Sequence, residues 1–148
     1  MAGRLSNLVE VLYPGQSRWG QFIFEPAKKS GDGLSLDVKI QGGAGDSIGT
    51  LQTWCFDMLF MESQSDRKTG PGFLLHDSDM FYGLDSRQVA NALVEVGKRC
   101  DEQGWQYIVP LNLELVPLGE EPGLAKYINE VRLTDAPGGG LFGFQFDD

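Results

Sequence analysis

Cysteine, histidine and positive charge are the scarce commodities of this 148-residue chain, and long apolar runs are missing altogether. Its two cysteines, Cys55 and Cys100, show no CxxC or Cys/His spacing suited to zinc, and both fall in stretches that read as amphipathic helices, so reduced core thiols are expected. No segment approaches the ~20 apolar residues that cross a bilayer, and the N-terminus lacks a basic-then-apolar secretory pattern. No membrane association and a cytoplasmic location are therefore expected. Twelve Lys and Arg stand against 21 Asp and Glu, a formal net charge of -9. Neutralising phosphates needs clustered basic side chains, so a surface that binds nucleic acid on its own is not expected. The chain has no internal repeat, and its longest low-complexity stretch is Gly138-Gly139-Gly140.

What is present suits one compact α/β domain over residues 1–148, with 41% hydrophobic residues to build a core. Leu5, Leu8, Val9 and Leu12 recur at helical spacing and stop at Pro14-Gly15, which predicts a short opening helix over residues 1–13. From residue 20 onward, Gln21 to Phe24 and the alternating Leu34, Leu36, Val38 and Ile40 predict an antiparallel hairpin joined by the loop Pro26 to Asp32, with one face of the second strand on a core. A glycine-rich turn through Gly45 then leads to Ser47, read as the cap of a helix carrying Ile48, Leu51, Cys55, Met58 and Leu59. Trp54, Phe56 and Phe60 widen that apolar surface, and Glu62 to Gly72 reads as a surface loop.

Phe73-Leu74-Leu75 then reads as a buried strand that ends in the polar run His76-Asp77-Ser78-Asp79. Asp85 with Gln88 forms a capping box for a helix whose stripe is Val89, Ala92, Leu93, Val96 and Cys100. Lys98 and Arg99 suit its negative end and Gly104 its C-cap. Trp105 to Val109 reads as a second buried strand, so the two strands flanking this crossover helix should be parallel. A helical turn at Leu124 to Asn129 and a hairpin from Val131-Arg132-Leu133 to Leu141–Phe146 complete a mixed sheet.

The chemistry concentrates at the end of the first of those parallel strands, where ligands of such sheets bind. An aspartate fixed there can hold hydrated Mg²⁺ through one carboxylate oxygen, which makes Asp77 the metal candidate. The alternative is a polar loop in which Asp77 or Asp79 accepts backbone hydrogen bonds at a turn. His76, the lone histidine, reads as a hydrogen-bonded core residue in preference to a proton shuttle. Ser47 and Gly49, at a helix start behind glycines, either present N–H groups to an anion or form a simple cap.

The order of these elements resembles the C-terminal lobe of an ABC-type ATPase head of the SMC-like and RecN-like group. Gly45-Asp46-Ser47-Ile48-Gly49 resembles a degenerate signature loop, Phe73 to Asp77 a Walker B strand and Gly83-Leu84-Asp85 a D-loop, while Asn112 stands where a switch histidine is expected. More narrowly, Phe73-Leu74-Leu75-His76-Asp77-Ser78, Cys55-Phe56-Asp57 and Leu141-Phe142-Gly143-Phe144 resemble the uncharacterised domain that ends YydD-like, SMC-related proteins. The resemblance implies that Ser47, Gly49, Asp85 and Asn112 meet nucleotide, that Asp77 meets Mg²⁺, and that Asp77, Ser78 and Asp79 stand at the catalytic position. It also implies that the opening helix is the stump of a coiled-coil arm.

Three departures bear on mechanism. Ser78 replaces the glutamate that positions the attacking water, and a hydroxyl is a poor base at neutral pH unless Asp79 or another chain substitutes. Asn112 can hydrogen-bond a phosphate but cannot titrate. No GxxxxGK[ST] loop occurs, so the β- and γ-phosphates lack their cradle. The leading expectation is half of an ATPase head, inactive alone, whose partners are an N-terminal ATPase lobe and a second head, with ATP and Mg²⁺ bound only in the complete head and DNA reached only through the full assembly. The rival is a metal-dependent nuclease or phosphoryl-transfer enzyme using Asp77, Asp79 and Asp85. A third reading is a dimerisation module working through exposed Phe and Trp, without ligand.

Overall fold

The structure, a computed structural model, describes residues 2–26, 33–42, 46–134, 136–140 and 143, with the side chains of residues 2, 46 and 47 outside the described set. Helix α1 (Ala2–Leu12) forms where the apolar stripe predicts it, with Leu5, Leu8, Val9 and Leu12 all buried, and it ends before Pro14 and the left-handed Gly15. Strand β1 (Gly20–Pro26) starts directly on this helix. A Cβ at residue 20 would stand 2.5 Å from Leu5 Cγ and 3.0 Å from Val9 Cγ2, so only glycine lets the strand approach so closely.

Strand β2 (Leu34–Ile40) pairs antiparallel with β1, in a register that sets Phe22 opposite Val38 and Phe24 opposite Leu36. The alternation holds, but the core reaches only the near end of the hairpin. Val38 and Ile40 are buried, whereas Phe24, Leu34 and Leu36 on the same face are exposed. The connecting residues 27–32 lie outside the described residues.

Helix α2 (Asp46–Asp66) is longer than the sequence pattern indicates. It begins at Asp46, so Ser47 falls within its first turn and not at the cap. It also runs on through residues 62–66, which had read as loop. The pattern misleads there because the polar Glu62 is a buried residue, 3% exposed, held by Arg99 and by Arg4 at 3.7 Å. Arg99 also pairs with Glu95 at 2.6 Å, and Arg4 with Asp66 at 2.8 Å, so an ionic chain ties α1 and α2 to α3 (Ser86–Gln103). Trp54 and Met61 join the buried face of α2, while Phe60 is exposed.

Strand β3 (Phe73–Leu75) and strand β4 (Gln106–Ile108) flank α3 and pair in parallel, Leu74 opposite Tyr107 and Leu75 opposite Ile108. The crossover unit is therefore present. Asp85 caps α3 through the Arg87 N–H, Gln88 completes the capping box, and the left-handed Gly104 closes the helix. Lys98 and Arg99 fall short of the last turn, and Arg99 serves the ionic chain instead of the helix dipole. Among the described residues the single mixed sheet is not formed: β1–β2 and β3–β4 are separate two-stranded sheets. Nor are β3 and β4 fully buried, since Phe73 is 48% and Leu75 58% exposed; among the described residues their outer face has no covering layer.

After β4 the chain forms short 3₁₀ turns at Leu113–Leu115 and Pro122–Tyr127, the latter in place of the helical turn expected at residues 124–129. Residues 131–134 pair with no strand among the described residues, and residues 141, 142 and 144–146 of the expected closing hairpin lie outside them. The core is the meeting of the three helices, with Leu5, Leu8, Trp54, Met58, Ala92 and Val96 at its centre. No helix among the described residues is long and apolar enough to cross a membrane.

Candidate functional site at the carboxyl ends of the parallel strands

Because β3 and β4 run parallel and in register, the residues that follow them, 76–79 and 109–112, emerge at one edge of the small sheet. The first of these continues the ladder, the His76 N–H donating to the Ile108 carbonyl at 3.0 Å. Asp77 then caps the 3₁₀ turn Ser78–Phe81. Its Oδ1 accepts from the Asp79 N–H at 3.0 Å and from the Ser78 hydroxyl at 3.1 Å, and Phe81 anchors the far end of the turn in the core. Those two hydrogen bonds hold the exposed Asp77 carboxyl below the ordinary range. Its Oδ2 has no partner among the described residues, which leaves one ionised oxygen facing water. That donor set fits a single-carboxylate contact to a hydrated divalent cation.

His76 is the interior side of this turn, 6% exposed. Its Nε2 lies 3.0 Å from Asp57 Oδ2 and its Nδ1 2.9 Å from the Tyr107 hydroxyl. A carboxylate only accepts, so Nε2 donates to Asp57, and the ring bridges that carboxylate and the Tyr107 hydroxyl. Burial pushes the Tyr107 phenol well up, so its hydroxyl keeps its proton. The buried Trp54 indole N–H has no partner at hydrogen-bonding distance. His76 is thus the hydrogen-bonded core residue that the sequence indicated. Asp57 and Tyr107, its partners, carried one faint signal: an acidic residue inside the apolar run Trp54 to Leu59.

Asn112 and Ser78 line one groove of about 1030 Å³ with the α3 face and the chain segment 128–134. Asn112 Oδ1 accepts from the Glu114 N–H at 3.3 Å, and Arg132 brings a cationic side chain to the same groove. The other candidates sit elsewhere. Asp85 is occupied by the α3 cap, its Oδ1 accepting from the Arg87 N–H at 2.9 Å and its side chain pairing with the Arg87 guanidinium, so its carboxyl too is held below the ordinary range. Gly49 is exposed on the first turn of α2, and the Ser47 side chain lies outside the described residues. Asp57, eight residues beyond Gly49, marks where α2 meets His76, which places Gly49 about 12 Å up the helix axis at 1.5 Å per residue. Among the described residues, no group of three or more His, Cys, Asp or Glu is placed to share a metal ion, so Asp77, Asp79 and Asp85 do not form a carboxylate cluster.

No curated protein and no solved structure matches the chain. A family does: residues 8–146 match DUF2326, described as an uncharacterised protein conserved in bacteria. That span takes in both small sheets, all of α2 and α3, and the Asp77 turn, and the chain belongs to this bacterial family.

Proposed function

We propose that this chain is the C-terminal half of an SMC-like, ABC-type ATPase head, the domain that ends YydD-like proteins, and that it associates with a phosphate-binding lobe and a second head in a nucleotide-gated way. The observation that carries the reading is the pairing at one sheet edge of an ionised, half-satisfied carboxylate, Asp77, with the groove shared by Ser78 and Asn112. Two-stranded parallel sheets with an uncovered apolar face are incomplete as independent structures, which further supports a complementing polypeptide. Bound Mg²⁺ would supply charge neutralisation of the phosphates in the finished site. In this reading Asp77 Oδ2 would hold that hydrated ion, and the Asn112 amide would donate toward the γ-phosphate. Ser47 and Gly49 at the start of α2 meet nucleotide held by the opposing head. Asp85 acts by fixing the start of α3. Ser78 cannot serve as a strong base, so hydrolysis is slow and nucleotide works chiefly as glue between heads. DNA is engaged through the assembly, since the chain itself carries a net charge of -9.

Calorimetry of the isolated chain with ATP and Mg²⁺ should show negligible binding, because no lysine-bearing loop cradles the phosphates; a submicromolar Kd contradicts the reading. With the phosphate-binding lobe and ATP present, light scattering should report a larger assembly that Asp77→Asn weakens by about tenfold. An oligomeric state indifferent to lobe and nucleotide would instead favour the plain dimerisation module. Mn²⁺-stimulated DNA cleavage lost on Asp77→Ala would favour the nuclease, against which stands the absence, among the described residues, of three carboxylates placed to share a metal.

A further inference from the structure

The outer edge of strand β2 is open, and its order of charges is its own complement. The Gln41 N–H donates to the Trp19 carbonyl at 2.9 Å, one step beyond the Gly20–Ile40 pair, so the hydrogen-bonded pairs of the hairpin are Gln21–Lys39, Ile23–Asp37 and Glu25–Ser35. Main-chain groups alternate in direction along a strand, so those of Leu34, Leu36, Val38 and Ile40 face away from β1. No strand meets them among the described residues. The other edge of the hairpin is less available. Helix α1 lies against Gly20, and Pro26, whose nitrogen points outward by the same alternation, has no N–H to donate.

An antiparallel copy of β2 can add to this edge only where Leu34, Leu36, Val38 and Ile40 oppose one another, which leaves few registers. Centred on Asp37, the pairing sets two aspartates face to face; centred on Lys39, it does the same with two lysines. Centred on Val38, it places Asp37 opposite Lys39 of the second copy and Lys39 opposite its Asp37. Both residues are exposed, and both contacts fall in the non-hydrogen-bonded pairs, where side chains stand closest. On the other face this register sets Leu36, 42% exposed, beside the buried Ile40 of the second copy. Phe24, the cross-strand neighbour of Leu36, is 66% exposed, so the bare far end of each hairpin falls beside the covered near end of the other. The two Ile40 rows are four residues apart, about 13 Å along the strands, which leaves each helical layer a footprint of its own.

We propose that this chain pairs with a second copy of itself as a twofold-symmetric dimer, in which the two β2 strands join antiparallel about Val38 into one four-stranded sheet. The occupant is a second copy because the sequence Asp37-Val38-Lys39 complements its own reversal, a property that only self-pairing uses. The interface draws on neither Asp77 nor the groove of Ser78 and Asn112, and it stands apart from the two-part head.

The test is sedimentation equilibrium of the whole chain, without nucleotide or lobe, with amide exchange followed in dilute and concentrated samples. A monomer–dimer equilibrium is expected, and exchange at Leu36, Val38 and Ile40 should slow at least about threefold on concentration while Phe22 and Phe24 change little. D37K and K39D each set like charges opposite one another twice, and each should weaken the dimer about tenfold with an unchanged circular dichroism spectrum. The double variant D37K/K39D restores opposite charges and should return to within about threefold of the unsubstituted chain. An equimolar mixture of D37K and K39D should recover the dimer as well, since each copy then meets the opposite sign. A monomer at concentrations up to about 1 mM overturns the proposal. So does a dimer indifferent to D37K and K39D, or a mixture that stays monomeric. Protection of the β2 edge at every concentration overturns it in favour of cover by the chain's own residues, and protection only on adding the phosphate-binding lobe overturns it in favour of that lobe. Nucleotide-gated association can fail without touching this result, and the β2 dimer can fail while lobe and nucleotide still assemble.

Discussion

Glu62 and Arg99 are the residues whose partnership matters most to stability. Glu62 is buried and Arg99 half-buried, the two pair directly, and Glu95 and Arg4 complete the chain on either side. Desolvation pulls the Arg99 guanidinium downward, and the Glu102 carboxylate acts in the opposite sense without cancelling it. Glu62→Ala should therefore cost about 3 kcal/mol by urea denaturation, because it leaves a half-buried cation with Glu95 as its remaining partner. Glu62→Ala combined with Arg99→Met should cost clearly less than the sum of the single changes; simple additivity would show that the two do not act together. The cysteines make a second prediction. Burial pushes the Cys55 thiol from 9.0 up to about 12, and Cys100 from 9.0 up to about 11. The unfolded chain loses these protons first as pH rises, so the stability they contribute is complete below pH 9 and is lost toward pH 11–12. Cys55 alone should give a decline of about 1.4 kcal/mol per pH unit above 9, read from urea midpoints at successive pH values. Cys55→Ala should flatten that slope whatever it does to stability at neutral pH.

Helix α3 shows how far a local pattern can specify an element. Its cap, capping box, apolar stripe and left-handed terminal glycine all sit where residues 85–104 indicate, because each depends on neighbours within a few positions. Asp85→Ala should cost about 1 kcal/mol in thermal or urea unfolding through loss of the cap, and Asp85→Asn should recover most of it. If Asp85→Asn were as damaging as Asp85→Ala, the carboxylate charge and its Arg87 pairing would outweigh the cap. Helix α2 shows the opposite case. Its last turns carry Glu62, Ser63, Gln64, Ser65 and Asp66, a polar run that reads as loop until α1 and α3 bring Arg4 and Arg99 beside it.

At the scale of the molecule, three helices make the core and two small sheets are attached to it unequally. The β3–β4 pair has only three residues per strand and an exposed outer face, so it should open without global unfolding. Hydrogen exchange should be at least about tenfold faster at the ladder amides of His76 and Gln106 than at Leu51 and Met58. Equal rates in the isolated chain would mean that the pair is part of the cooperative core and needs no partner.

The sequence by itself determined the elements whose causes are local: the opening helix, the alternation of β2, the caps of α3, the parallel relation of the strands on either side of it, and the interior character of His76. Periodicity, capping chemistry and the handedness of crossovers act over short stretches and leave their mark in the order of residues. Tertiary structure alone decided that Glu62 is buried, that Asp57 and Tyr107 bracket His76, that Asp85 is occupied as a cap away from Asp77, and that the sheet is split in two. Each of these depends on groups far apart in sequence arriving at one place, and the free energy of burying a charge or leaving a strand edge open is set by what arrives there.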